Sequence, residues 1–122
     1  MKLYESPLDA SFDQFTRGTR EEAARDKKSA FLSAWNLLGK RWTFLIITEL
    51  LAHSQSFQEL FNHIDGISEK VLAERLKELE CEGVLRRENA SGRHFRVMYH
   101  LTAKGEALEP VIRALWTWRL HP

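Results

Sequence analysis

The sequence has only one cysteine, Cys81, which excludes an intrachain disulfide and argues against a cysteine-based zinc site. Its five histidines, His53, His63, His94, His100 and His121, show no pairing at metal-ligand spacing, so neither metal nor cofactor is expected. No apolar run approaches the roughly 20 residues of a membrane span, and the N-terminus lacks the apolar stretch of a secretory signal. The expected compartment is the cytoplasm, with no membrane partner. Also missing are a nucleophile elbow, a phosphate loop, an HExxH helix and a paired-carboxylate pattern, so an enzyme is not expected. A strong excess of charge is absent too: the net charge is +1.

What is present is the composition of a globular protein, with 43% hydrophobic and 29% charged residues. A chain of 122 residues suits one domain with a buried core rather than two. The charge is unevenly placed. Between residues 84 and 104 stand Arg86, Arg87, Arg93, Arg96 and Lys104 against Glu88 alone. Residues 29–83, by contrast, carry five bases against eight acids.

Residues 1–18 show no sustained period and read as an arm, leaving residues 19–122 as the single folded domain. Thr19 and Glu22 have capping-box spacing, and Phe31, Ala34, Trp35 and Leu38 recur on one face until Gly39, predicting a first long helix. A second helix over Arg41 to Ala52 is apolar around most of its circumference and belongs in the core. Ser56 and Glu59 form another capping box, opening a short helix that Asp65-Gly66-Ile67 breaks. Ser68 then caps a helix whose Leu72, Leu76 and Leu79 form one stripe and which Gly83 ends. Two short helices joined by a tight glycine-containing turn make a helix-turn-helix, about 56–82.

Past Gly83 the period shortens. Val84-Leu85-Arg86-Arg87 and Phe95-Arg96-Val97-Met98-Tyr99 flank the turn-forming Asn89-Ala90-Ser91-Gly92, predicting a hairpin wing over about 84–101. Thr102 caps a last helix, about 103–120, whose apolar residues exceed what one side of a small domain can bury. Leu108, Val111, Leu115, Trp116 and Trp118 on that helix, with Trp35 on the first, are candidates for a homodimer interface. The expected fold is thus mainly α with a small β-hairpin, an α+β winged helix-turn-helix flanked by N- and C-terminal dimerisation helices.

These elements in order resemble the HxlR family of bacterial regulators, related in fold to the MarR group, from about Trp35 to Trp118. The resemblance is carried by Leu38-Gly39-Lys40-Arg41-Trp42-Thr43, Ile67-Ser68-Glu69-Lys70-Val71-Leu72, Arg75-Leu76-Lys77-Glu78-Leu79-Glu80, Gly83-Val84, Tyr99-His100-Leu101-Thr102 with Gly105, and Trp118. It implies a small homodimeric transcriptional regulator that binds operator DNA and answers to a redox, electrophile or small-molecule signal. Three features depart from it. No cysteine stands near Lys28-Ser29-Ala30-Phe31-Leu32, where the family often has one, so a redox switch at that site is excluded. His94-Phe95 precede Arg96 where many relatives have a Pro-Pro pair, and residues 1 to about 28 have no counterpart.

A helix that enters the major groove must be polar opposite its core stripe. With Leu72, Leu76 and Leu79 inward, a step of about 100° per residue turns Lys70, Glu74, Lys77 and Cys81 outward. Lys70 and Lys77 can reach phosphate or guanine acceptors, Ser68 sits at the helix N-terminus, and Glu74 either accepts from a cytosine amine or holds a neighbouring lysine. Arg75 lies beside the core stripe, where an intradomain salt bridge and a phosphate contact are both open. Arg93, His94 and Arg96 near the hairpin tip are the wing's candidates for backbone or minor-groove contact, and at most one of Arg86 and Arg87 faces DNA. Charge alone would make the helix a solvated surface; helix order, turn and wing turn the reading toward double-stranded DNA.

Cys81, placed one turn before the recognition helix ends, is either an inert thiol, as the neighbouring Glu78, Glu80 and Glu82 favour, or a redox site. Trp35, Trp42, Trp116 and Trp118 read as core or dimer packing, with an effector pocket as the alternative. A winged helix that binds protein instead of DNA is the rival function, suited by the acids of the recognition helix.

Overall fold

In the computed structural model, which describes residues 19–90 and 96–122, the chain divides into two compact units, residues 1–36 and 37–122. Helix α1 (Arg20–Leu38) begins in the first. Its start is a reciprocal cap: the Glu22 N–H donates to Thr19 Oγ1 at 3.2 Å and the Thr19 N–H to Glu22 Oε2 at 3.3 Å. No residue of α1 is buried, and Phe31, Leu32 and Trp35 are exposed.

The helix expected from Arg41 begins two residues later, as α2 (Thr43–Ala52), because Trp42 has φ 81° and cannot continue a right-handed helix. Gly39, which follows α1, is not in the left-handed region; the bulky Trp42 is. Such a conformation costs on the order of 1–3 kcal/mol and persists only where its surroundings fix it. Here the ring lies beside Gly66, where an added Cβ would sit 3.3 Å from Trp42 Cη2, and the Arg41 guanidinium stands 5.0 Å from the ring centroid.

Helix α2 buries Ile46, Ile47 and Leu50 but leaves Leu45 exposed. Next comes a two-residue strand, β1 (Gln55–Ser56), which the sequence pattern did not reveal. Ser56 caps α3 (Phe57–His63) through a capping box with Glu59. Gly66 makes the turn at φ 90°, and Ser68 caps α4 (Glu69–Cys81), its Oγ accepting from the Val71 N–H at 3.1 Å. Leu72, Leu76 and Leu79 are buried as the stripe predicted. Helix α4 closes in a Schellman motif: Gly83 takes φ 74°, the Val84 N–H donates to Leu79 O at 2.9 Å and the Gly83 N–H to Glu80 O at 3.0 Å.

Strands β2 (Leu85–Ala90) and β3 (Arg96–Leu101) form the hairpin, and the sheet order is β1-β3-β2, all antiparallel. Asn89 and Ala90, expected in the turn, are instead strand residues paired with Val97 and Arg96. Ser91 and Gly92 lie outside the described residues.

The helix expected over about 103–120 is two pieces, α5 (Ala103–Glu106) and α6 (Glu109–Leu120). Pro110, in the first turn of α6, supplies the reason. It has no N–H for a continuous ladder, and its ring would clash one turn back, so it starts a helix rather than crossing one. Leu108, at the junction, is half-buried and packs on the core. In α6 only Ile112 is buried; Val111, Leu115, Trp116, Trp118 and Leu120 are exposed. No helix among the described residues is long and apolar enough to cross a membrane.

Candidate nucleic-acid interface

Helices α3 and α4 with the Gly66 turn form the helix-turn-helix, and β2–β3 form the wing. On α4 the residues opposite the Leu72–Leu76–Leu79 stripe are Lys70, Ala73, Glu74, Lys77 and Cys81, all exposed. Lys70 and Lys77, two turns apart, have no hydrogen-bond or ion-pair partner among the described residues. Ser68 is exposed at the N-terminus of α4 and uses its Oγ as the cap acceptor, leaving its O–H to donate outward. Glu74 holds neither lysine; its carboxylate lies 4.0 Å from Arg75 Nη1.

Arg75 makes an intradomain bridge. Its Nη1 is 2.8 Å from Glu78 Oε1, its Nε donates to Arg41 O at 3.3 Å, and the side chain is 20% exposed. Glu78 also pairs with Lys40, so the segment before α2 is tied to the recognition helix at two points. The Lys40 ammonium foremost, with Arg75 beside it, holds the Glu78 carboxyl below the usual glutamate range against the opposing effect of partial burial.

The wing is less openly basic than its sequence suggests. Each base that the structure describes between residues 84 and 104 has a partner. Arg86 Nη1 is 2.7 Å from Glu88 Oε2, Arg87 Nε 3.0 Å from Glu80 Oε2, Arg96 Nη1 3.7 Å from Glu59 Oε1, and Lys104 Nζ donates to Glu82 O at 2.8 Å. Two of the acids, Glu59 and Glu80, come from α3 and α4 and so from outside the hairpin, Glu59 from 37 residues before its partner. Arg96 nevertheless remains 62% exposed at the first described position after the hairpin tip. Arg93 and His94 lie outside the described residues.

Two histidines are held in polar chains, His100 on the central strand of the sheet and His63 at the end of α3. His100 Nδ1 is 2.5 Å from Ser54 Oγ and its Nε2 3.2 Å from Glu88 Oε2. The hydrogen bond from Arg86 is the main reason that Glu88 stays ionised to lower pH than usual. His63 Nδ1 meets Gln55 Oε1 at 2.7 Å, while Gln55 Nε2 donates to Glu49 O at 2.8 Å. That arrangement satisfies the amide of a side chain 1% exposed.

Cys81 is exposed and is the last residue of α4, not one turn before its end. Of the tryptophans, Trp42 is packed over the Gly66 turn, whereas Trp35, Trp116 and Trp118 are 53%, 55% and 75% exposed.

Sequence and structure comparisons agree with this anatomy. The family model described as HxlR-like helix-turn-helix matches residues 37–121. The chain is 43% identical over 88 residues to the HTH-type transcriptional regulator YvaP of Bacillus subtilis, covering 72% of this chain and 82% of that one. It is 44% identical over 86 residues to the HTH-type transcriptional regulator YodB of the same organism, covering 70% and 77%. The structure of YodB in its reduced form superposes with a TM-score of 0.67 over 70% of this chain and 84% of that one. Its quinone-bound form gives 0.66 at 41% identity, covering 75% and 96%. The chain therefore belongs to the HxlR-like helix-turn-helix family of transcriptional regulators.

Proposed function

We propose that this regulator binds operator DNA in the cytoplasm as a homodimer, with α4 in the major groove and the wing against the flanking backbone. The observation that carries the reading is the outward face of α4. Lys70 and Lys77 stand there without protein partners among the described residues, on a helix presented by a helix-turn-helix. Ser68 and the N-terminal N–H groups of α4 take a phosphate, Lys70 and Lys77 take phosphate or guanine acceptors, and Glu74 accepts from a cytosine amine. Arg96, with Arg93 and His94, meets the backbone or minor groove. Arg75 shapes the helix rather than touching DNA.

The dimer forms through the apolar face of α6, Val111, Leu115, Trp116 and Trp118, with Trp35 on α1 adding to it. Leu108 supports that face from the core. Trp118 at 75% and Trp116 at 55% exposure are costly to leave in water and suited to anchoring an interface. Deleting α6 would also remove the buried Ile112, so the cleaner test is the double variant Leu115→Glu/Trp118→Glu. It should sediment as a folded monomer; a dimer unchanged in mass would refute the interface.

A small molecule controls the binding in this reading, supported by the quinone-bound form of YodB. Cys81 is the one thiol in the chain, so any thiol adduct or redox signal must act there, and Cys81→Ser would abolish that response. The decisive experiment is a gel-shift titration on duplex from the chain's own upstream promoter region at two salt concentrations. Six to ten phosphate contacts would weaken binding by about 10³- to 10⁵-fold between roughly 50 and 200 mM salt. No retardation of any duplex at low salt and micromolar protein would overturn the proposal. It would leave the protein-binding reading, which the acid pairing of Arg86, Arg87 and Arg96 favours.

A further inference from the structure

Strand β3 begins at Arg96, and the carboxylate facing it belongs to Glu59, on the first helix of the helix-turn-helix. Glu59 Oε1 accepts from the Ser56 N–H at 3.3 Å while the Glu59 N–H donates to Ser56 Oγ at 3.2 Å. The same Oε1 lies 3.7 Å from Arg96 Nη1. Ser56 is itself paired with Met98 in the sheet, so the carboxylate is held by backbone on the strand next to Arg96. It is 32% exposed, against 62% for the arginine, so the fixed partner is the acid and the movable one is the base. The Ser56 hydrogen bonds foremost, and Arg96 with them, keep Glu59 ionised below the usual glutamate range.

We propose that Glu59 is a specificity-determining residue: an anchored carboxylate that competes with DNA phosphate for Arg96 and so holds down binding to duplex of arbitrary sequence. The proposal rests on the DNA-binding reading above. The capping box needs only a side-chain acceptor at Glu59, which glutamine also supplies, whereas the competition needs the negative charge. Phosphate must therefore displace a charge already placed, and only a duplex seated well enough to align α4 brings its backbone to Arg96 with the strength to do so. An unspecific encounter, held by the backbone alone, is weakened most.

The test is Glu59→Gln, measured on duplex of arbitrary sequence. Losing an exposed ion pair of this kind changes affinity by no more than roughly fivefold. The variant should bind two- to fivefold tighter for each wing engaged, with a salt slope steeper by up to about 0.9 per protomer as one more phosphate is engaged by each. Circular dichroism should show unchanged helix content. In an Arg96→Ala background the substitution should change nothing. Equal or weaker binding by Glu59→Gln, or a gain that survives in the Arg96→Ala background, overturns the proposal. A second readout needs no variant. On titration of the wild-type protein with duplex, the Arg96 side-chain Nε–H resonance should shift as the guanidinium passes from carboxylate to phosphate, and a resonance that does not move equally overturns it. Failure of the wild-type protein to bind any duplex would instead strike the DNA-binding reading, so the two failures are distinct.

Discussion

Gly105 is buried in α5, and a Cβ built there would lie 2.2 Å from Val84 O and 2.9 Å from Leu101 Cδ2. The first contact is with backbone, which cannot swing aside as a side-chain end can. Val84 O accepts from the Thr102 N–H at 3.1 Å and from Thr102 Oγ1 at 3.1 Å. Moving that carbonyl to admit a methyl therefore disturbs two hydrogen bonds at once. Each is worth about 0.5–1.5 kcal/mol net, and forcing an extra carbon into a packed site costs roughly 1–3 kcal/mol. Alanine regains about 1 kcal/mol of helix propensity over glycine.

The net expectation for Gly105→Ala is a loss of about 2–4 kcal/mol, which for a unit of this size lowers Tm by roughly 4 °C or more per kcal/mol. Thermal unfolding followed by far-ultraviolet circular dichroism measures it. The damage should also reach function, because Val84 joins the end of α4 to the start of β2 and so sets the wing relative to the recognition helix. A Tm equal to or above that of the wild type would refute the reasoning. It would mean that the close approach of α5 is yielding and that propensity decides the outcome.

Gly83→Ala meets no neighbour within 4 Å, yet must keep φ 74°, so urea unfolding should show a purely conformational loss of about 1–2 kcal/mol. Glu78 has a depressed pKa through Lys40 and Arg75; the unfolded chain then binds more protons in acid. The stability this adds is complete above the ordinary glutamate pKa of about 4.3 and is lost as pH falls through the lower folded value. Glu78→Gln should therefore cost about 1 kcal/mol at neutral pH after solvent screening and flatten the acid limb of a pH series of urea unfolding curves. An unaltered limb would show that the network contributes nothing. Lys70→Ala and Lys77→Ala should each reduce the salt slope of DNA binding by about 1 per protomer, while Arg75→Lys should leave the slope alone.

Much of this architecture could be read from local signals, since those signals are local in the structure as well. The pairs Thr19 with Glu22 and Ser56 with Glu59 cap helices within three residues, and Gly83 closes α4 through bonds to its own last turn. Where the reading failed, the cause was non-local or was a conformation that residue type does not announce. Strand β1 has no apolar alternation and exists because Gln55 and Ser56 pair with Tyr99 and Met98. Trp42 carries a left-handed backbone that a sequence would assign to Gly39. The break between α5 and α6 had a visible signal in Pro110, outweighed by the apolar run around it. At the candidate site, Arg75 with Glu78 was legible as an i,i+3 pair, but Lys40 with Glu78 and Arg96 with Glu59 link residues nearly 40 apart.

The mixed charge of α4, which counted against a nucleic-acid reading of the sequence alone, takes a different meaning once its partners are known. Glu78 is occupied by Lys40 and Arg75, and Glu80 by Arg87. Both acids face other parts of the fold and fix the helix against the segment before α2 and against the wing. Together with the Lys104 bond to Glu82 O, they place ties along the C-terminal half of α4. The outward lysines are left without such ties among the described residues. An acid that already holds a base contributes little net field to an approaching phosphate, because the pair is nearly neutral beyond a Debye length of about 10 Å. Glu78 and Glu80 are thus structural, and the outward lysines of the helix are available. A sum of charges over the helix cannot express that difference; only the assignment of each charge to its partner can.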